Sequence, residues 1–89
     1  MHERTHRKGA RILVADDFAE WRAIARFILK ARPEWQVISE ACDGLQAVKR
    51  ASQLRPDIIL LDIRMPILNG LEAADRIREL RIIFVDAGE

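Results

Sequence analysis

Hydrophobic and polar positions along this chain follow two different periods. Ile12-Leu13-Val14-Ala15, Ile58-Ile59-Leu60-Leu61 and Ile82-Ile83-Phe84-Val85 are short, continuously apolar, partly β-branched runs. Such runs predict strands buried on both faces, as in a parallel sheet. A further strand is predicted over Trp35 to Cys42, centred on Val37 and Ile38. Between these runs the apolar residues recur at helical spacing. Trp21, Ile24, Ala25, Ile28 and Leu29 predict the buried face of a helix from Phe18 to Ala31. Leu45, Val48, Ala51 and Leu54 predict a second helix. Leu71, Ala74, Ile77 and Leu80 predict a third, opened by Asn69-Gly70 and carrying Glu72 and Arg76 as a favourable pair one turn apart.

The punctuation agrees with this division. Asp17 is the expected N-cap of the first helix, with Glu20 as its capping-box partner. Pro33 stops that helix, because a residue before proline resists the helical region. Asp43-Gly44 makes the turn into the second helix, and Pro56 closes it. The order β-α-β-α-β-α-β implies right-handed crossovers. The expected fold class is therefore α/β: a three-layer α/β/α arrangement around a parallel sheet. Residues 1 to 10 read as a flexible, basic leader, and residues 11 to 89 as one domain.

Composition narrows the function classes. The 89 residues suffice for one small domain with a single core. Hydrophobic residues are 49% and charged residues 33% of the chain, the balance of a soluble globular protein. The net charge of +1 argues neither for nor against nucleic acid, but neither a helix-turn-helix nor a one-sided basic surface is visible, so no direct nucleic-acid binding by this chain is expected. No apolar run approaches bilayer length, and the N-terminus lacks an apolar signal core, so no membrane partner and a cytoplasmic location are expected. Cys42 is the only cysteine, which excludes an internal disulfide and fits a reducing compartment. His2 and His6 are a conceivable metal pair, but histidines in a polar tail carry little weight.

Candidate chemistry lies at the strand ends. Asp16 and Asp17 follow the first strand, and Asp62 follows the third. In an open parallel sheet, ligands bind outside the C-terminal strand ends, where strand order reverses. If those two strands are neighbours, three carboxylates converge. Like charges that close repel and raise one another's pKa unless a cation joins them. Oxygen-only ligands in a partly hydrated site suit Mg²⁺. A carboxylate beside such an ion can attack phosphorus. The bland alternative is that Asp16 and Asp17 merely cap a helix and Asp62 is a loop residue; three carboxylates in this strand pattern argue against it.

The stretches I-L-V-A-D-D-F (12 to 18), E-A-C-D-G-L-Q-A-V (40 to 48), R-P-D-I-I-L-L-D-I-R-M-P (55 to 66) and N-G-L-E-A-A-D-R-I-R-E-L (69 to 80) carry a specific likeness. The chain resembles the receiver domain of two-component response regulators, most of all receivers that precede a helix-turn-helix output domain. The resemblance implies a flavodoxin-like sheet and a sensor histidine kinase as partner. It implies Asp62 as phosphoacceptor, so that the chain is a phosphoryl acceptor and not a turnover enzyme. It implies an Mg²⁺ site in which Asp17 is a direct ligand and Asp16 acts largely through water. Asp62 and the backbone carbonyl of Arg64 complete that site, while Pro66 and Gly70 shape the loop.

The chain also departs from the family. The pattern ends after the fourth strand, so the expected order is 2-1-3-4, lacking helix 4, strand 5 and helix 5. The family's strand-5 lysine binds the phosphoryl group. Here the lysines are Lys8, Lys30 and Lys49, none at such a strand end. The Ser/Thr switch position after strand four holds Asp86, whose carboxylate would repel a phosphoryl group. Between Leu80 and Ile82 only Arg81 is left as a join, where about 2 to 6 residues are usual. Either the third helix unwinds early, or the last strand leaves its own sheet, and an open edge with uncovered apolar surface invites self-association. A homodimer is expected, with exchange through residues 81 to 89 as one form. Two further readings stand beside the phosphorelay receiver. One is a phosphorylation-defective interaction or dimerisation module. The other is an Mg²⁺-dependent phosphatase, disfavoured because Arg64 stands where a second acid is needed.

Overall fold

The computed structural model describes residues 9 to 77 and 81 to 85. Seven elements follow in order: β1 (Ala10–Ala15), α1 (Ala19–Lys30), β2 (Trp35–Ala41), α2 (Gly44–Leu54), β3 (Ile58–Asp62), α3 (Gly70–Arg76) and β4 (Arg81–Val85). The strands form one parallel sheet in the order β2-β1-β3-β4. The two central positions go to β1 and β3, whose apolar runs tolerate burial on both faces. Asp16 and Asp62 therefore end adjacent strands, as the reading of the sequence required.

Successive strand residues face opposite sides, so each strand feeds two cores. Leu13, Ala15, Ile59 and Leu61 face α2 and α3, where Ala47, Ala51, Ala73 and Ile77 meet them. Small residues on α2 let its backbone approach the sheet closely. Ile12 and Val14 face the other way, toward Leu29 of α1, with Ala25, Val37, Ile58 and Leu60 packed around them. Truncating a fully buried residue such as Leu13 to alanine is expected to cost roughly 2 to 5 kcal/mol.

The pairing of β1 with β2 is irregular. Ile12 pairs with Val37, but Leu13 pairs with Ser39, so Ile38 is an extra residue in β2. Farther down, Arg11 ties two elements to β1. Its backbone N–H donates to Asp57 Oδ2 at 2.7 Å. Its guanidinium donates to the carbonyls of Leu54 and Arg55, both at 2.9 Å. Those are the carbonyls a helix leaves unpaired at its C-terminus.

Four expectations are revised. Ala10 belongs to β1, so the leader does not reach residue 10, and residues 1 to 8 lie outside the described residues. The helix after Asn69 is shorter than its apolar spacing suggests: α3 ends at Arg76 with Ile77 as its C-cap. Leu80 lies outside the described residues. That early end lengthens the join to β4, and β4 pairs in parallel with this chain's own β3 from Ile58↔Arg81 to Asp62↔Val85. The cramped join that argued for strand exchange is therefore absent. Finally, the expected buried face of α1 is mostly open: Leu29 is buried, but Trp21 is 40% and Ile28 60% exposed. Spacing correctly marks the apolar side, yet among the described residues no second helix packs there.

Candidate metal centre

The turn after β1 is built by local hydrogen bonds. The Asp16 N–H donates to the carbonyl of Ala41 at 3.0 Å, tying the strand end to β2. The Asp16 carboxylate then accepts the Phe18 N–H through Oδ1 at 2.9 Å. This contact replaces the expected capping box. Phe18 is the N-cap of α1 and makes no side-chain cap, so neither Asp17 nor Glu20 plays that part. The consequence is functional: Asp17 is left exposed at the mouth, while Asp16 turns inward.

Asp62 comes from the end of β3. Only 4% of it is exposed, against 7% for Asp16. Its Oδ1 accepts the N–H of Arg64 at 3.2 Å, which brings the backbone two residues on beside the carboxylate. The loop behind it is tightly packed. Met65 and Leu68 are buried, and Leu68 N–H donates to the carbonyl of Pro66 at 2.7 Å. Ile67, at the tip of that turn, takes φ 70, a strained value for a β-branched residue. Asn69 and Glu72 then form a full capping box at the start of α3. Gly70 lies flush against the end of β3: a Cβ there would overlap the Asp62 carbonyl oxygen, and its N–H donates to Ile63 O at 2.9 Å. This glycine is required by close approach and not by its backbone angles.

These elements bring Asp16, Asp17 and Asp62 together. One carboxylate oxygen from each lies within 4.8 Å of the others. The electrostatics are those of crowded, partly buried carboxylates. Burial pushes the Asp16 carboxyl above its ordinary value. The Phe18 N–H opposes this, the Asp17 charge adds to it, and Arg22 and the Asp62 carboxyl act against it. Two buried carboxylates facing an exposed third are costly without a cation. An all-oxygen donor set, closed by protein on one side and open at Asp17 on the other, fits a hard divalent ion that keeps some of its waters. A small apolar pocket opens beside it, lined by Trp21, Ile24, Ile28, Leu60 and Val85 together with Asp16 and Asp62.

The sequence missed Arg22. It reaches both Glu40 on β2 and the backbone carbonyl of Asp16. A lone arginine on the polar side of an amphipathic helix gives no signal of that. Asp86, the expected switch position, lies outside the described residues; it follows directly on the last residue of β4.

The family model for the response regulator receiver domain matches residues 12–87. The chain belongs to this family. Its sheet order and three helices are those of the flavodoxin-like receiver fold. Among curated proteins, it is 42% identical over 80 residues to a protein-glutamate methylesterase/protein-glutamine glutaminase of Thermotoga maritima, covering 86% of this chain and 23% of that protein. A namesake from Pyrococcus abyssi is 43% identical over 63 residues, covering 71% of this chain and 17% of the relative. The chain thus spans about a fifth of the length of the curated relatives it matches, and the matched stretch is their receiver part. Among solved structures, the response regulator domain of Thermotoga maritima CheB superimposes with a TM-score of 0.82 at 40% identity, covering 85% of this chain and 59% of that one. The receiver of a putative response regulator NarL from Mycobacterium tuberculosis gives 0.86 at 29%, covering 92% and 69%. The curated relatives named here are methylesterases, while the NarL receiver stands among the similar structures. Receivers are signal-transduction modules, and no helix among the described residues is long and apolar enough to cross a membrane.

Proposed function

We propose that this receiver accepts a phosphoryl group on Asp62 and holds Mg²⁺ through Asp16, Asp17, Asp62 and the backbone carbonyl of Arg64. The observation that carries the reading is the convergence of three carboxylate oxygens within 4.8 Å at the ends of two adjacent strands. The ion, when bound, offsets the carboxylate charges and the charge that develops on the transferred phosphoryl oxygens. Asp62 supplies the nucleophile: one carboxylate oxygen forms a bond to phosphorus as the bond to the donor breaks, and the donor leaves with the electron pair. For a sensor histidine kinase, that leaving group is the kinase imidazole. Asp16, fixed by the Phe18 N–H, presents its remaining oxygen. Asp17, exposed at the mouth, would be a direct ligand. Gly70 keeps the following loop against β3, so that the Arg64 backbone stays beside Asp62.

Asp86 holds the sequence position after the fourth strand that resembles the family's Ser/Thr switch position, and its carboxylate would repel a phosphoryl group rather than donate to it. The test is intact mass after incubation with acetyl phosphate and Mg²⁺. Wild type is expected to gain one phosphoryl group and Asp62→Asn none. An unmodified wild type, under conditions that label a complete receiver, refutes phosphoacceptance.

A second reading has its own support. Among the described residues the apolar side of α1 is open and β4 lies at the edge of the sheet. Both features suit an interaction module that associates with a second copy. Light scattering during gel filtration tests it, and a monomer that persists at high concentration removes it.

A further inference from the structure

Arg22 sits in the first turns of α1 and is nearly enclosed, with 18% of its side chain exposed. Its Nε donates to Glu40 Oε1 at 2.9 Å, and its Nη1 donates to the Asp16 carbonyl at 2.7 Å. Glu40 is itself braced. Its other carboxylate oxygen takes Arg26, and its backbone carbonyl takes Arg50. Asp16 is thereby held at three points: its N–H by Ala41, its carboxylate by Phe18 and its carbonyl by Arg22. The first two bonds fix where β1 ends. The third fixes the peptide plane between Asp16 and Asp17, which sets the direction in which the Asp17 side chain leaves the turn.

We propose that Arg22, braced by Glu40, is a positioning residue of the metal site: it holds the Asp16–Asp17 peptide so that both carboxylates face the cation. This rests on the Mg²⁺ reading above. The geometry is unusual for a residue so close to a cation site. A guanidinium there repels a metal ion unless its charge is answered, and Glu40 answers it at 2.9 Å. Arginine suits the task because its rigid fork donates in two directions at once. Lysine keeps the charge but not the fork.

Charge and position predict opposite signs. If Arg22 acted on the site only through its charge, removing it would tighten Mg²⁺ binding. If it positions the turn, removing it weakens binding. The experiment measures the Mg²⁺ dissociation constant from the dependence of the melting midpoint on MgCl₂, with the midpoint in EDTA as the control for folding. Wild type, Arg22→Gln, Arg22→Lys and Glu40→Gln are compared. Both Arg22 variants are expected to bind roughly tenfold more weakly, the lower end of what losing an outer partner of a metal site costs. Glu40→Gln should fall between them and wild type. A purely structural role would lower the EDTA midpoint and leave the dissociation constant unchanged. Unchanged or tighter binding by folded Arg22→Gln overturns the proposal. Should that variant fail to fold, unchanged binding by Glu40→Gln overturns it instead. A wild type that binds no Mg²⁺ refutes the metal reading itself, and the proposal with it, which separates the two failures.

Discussion

Replacing Asp62 with asparagine should make the protein more stable while removing its reactive group. The substitution keeps shape and keeps an oxygen to accept the Arg64 N–H, which Asp62 receives at 3.2 Å. What it removes is one of three clustered carboxylates. Two unit charges at the 4.8 Å bound of the cluster repel by about 3 kcal/mol at an effective dielectric of about 20. Asp17 is exposed, so its share is screened by solvent. The Asp16–Asp62 pair is buried and is not screened in that way. The Asp16 pKa is raised chiefly by burial, and the Asp62 carboxyl acts against that rise, so only part of the full repulsion is expressed. About 1 to 2 kcal/mol of stabilisation is left in EDTA. For a domain of this size that is roughly 5 to 15 °C in melting midpoint. Mg²⁺ should reverse the order of gains. At ten times its dissociation constant the ion stabilises wild type by about 1.4 kcal/mol, and the variant, with one ligand charge fewer, by less. Urea titrations of both proteins in EDTA and in MgCl₂ give the four numbers needed. A variant less stable than wild type in EDTA, or an equal Mg²⁺ gain in both, refutes the electrostatic reasoning.

Two other perturbations test the supports of the site. Gly70→Ala should lower the urea midpoint by the equivalent of about 1 to 3 kcal/mol and weaken Mg²⁺ binding, because the new methyl meets the Asp62 backbone and neither strand nor loop has room to retreat; an unchanged midpoint would show that the loop gives way. Glu40 governs part of the acid limb. Burial raises its pKa most among single causes, but the Arg26 and Arg22 contacts together bring it below the ordinary 4.5. A depressed carboxylate pKa stabilises the fold above the unfolded value and loses that contribution as pH falls through the folded one. The stability gap between wild type and Glu40→Gln should therefore be full near neutrality and shrink below about pH 4.5, as read by denaturation at a series of pH values. A gap that stays constant through the acid range would show that the pair contributes nothing through charge.

Much of this architecture was legible in the residues, for identifiable reasons. Ile12 to Ala15 and Ile58 to Leu61 read as central strands because only a doubly covered strand tolerates an unbroken apolar run. Once those two are neighbours, Asp16, Asp17 and Asp62 must converge. The failures have one physical source: local patterns encode which side of an element is apolar, not what stands opposite. Trp21, Ile24 and Ile28 are correctly aligned on α1 and still largely exposed. Leu80 continues a helical spacing that the backbone leaves at Arg76. Phe18 takes the N-cap from Asp17 because Asp16, one residue earlier, already satisfies the Phe18 N–H. Arg22 was invisible because its partners lie on β2 and in a turn, which no local spacing relates.

The extra residue in β2 gives the sheet a change of phase. Up to Val37 the odd-numbered residues of β2 face α1; past Ile38 the even-numbered ones do, so Glu40 aligns with Val14 and Ala41 with Ala15. Had the strand kept step, Glu40 would point into the alanine-lined core beneath α2, and Ala41 would face Arg22. One unmatched peptide, several residues from any carboxylate of the site, thus decides which of two adjacent side chains becomes an anchor and which becomes filling. Deleting Ile38 would straighten the ladder and leave Glu40 beside Val14 and Ala41 beside Ala15, whereas forcing Ile38 into a regular ladder would exchange the roles of the two positions behind it. In this protein the wiring of the site is carried by the parity of a strand as much as by the identity of its residues.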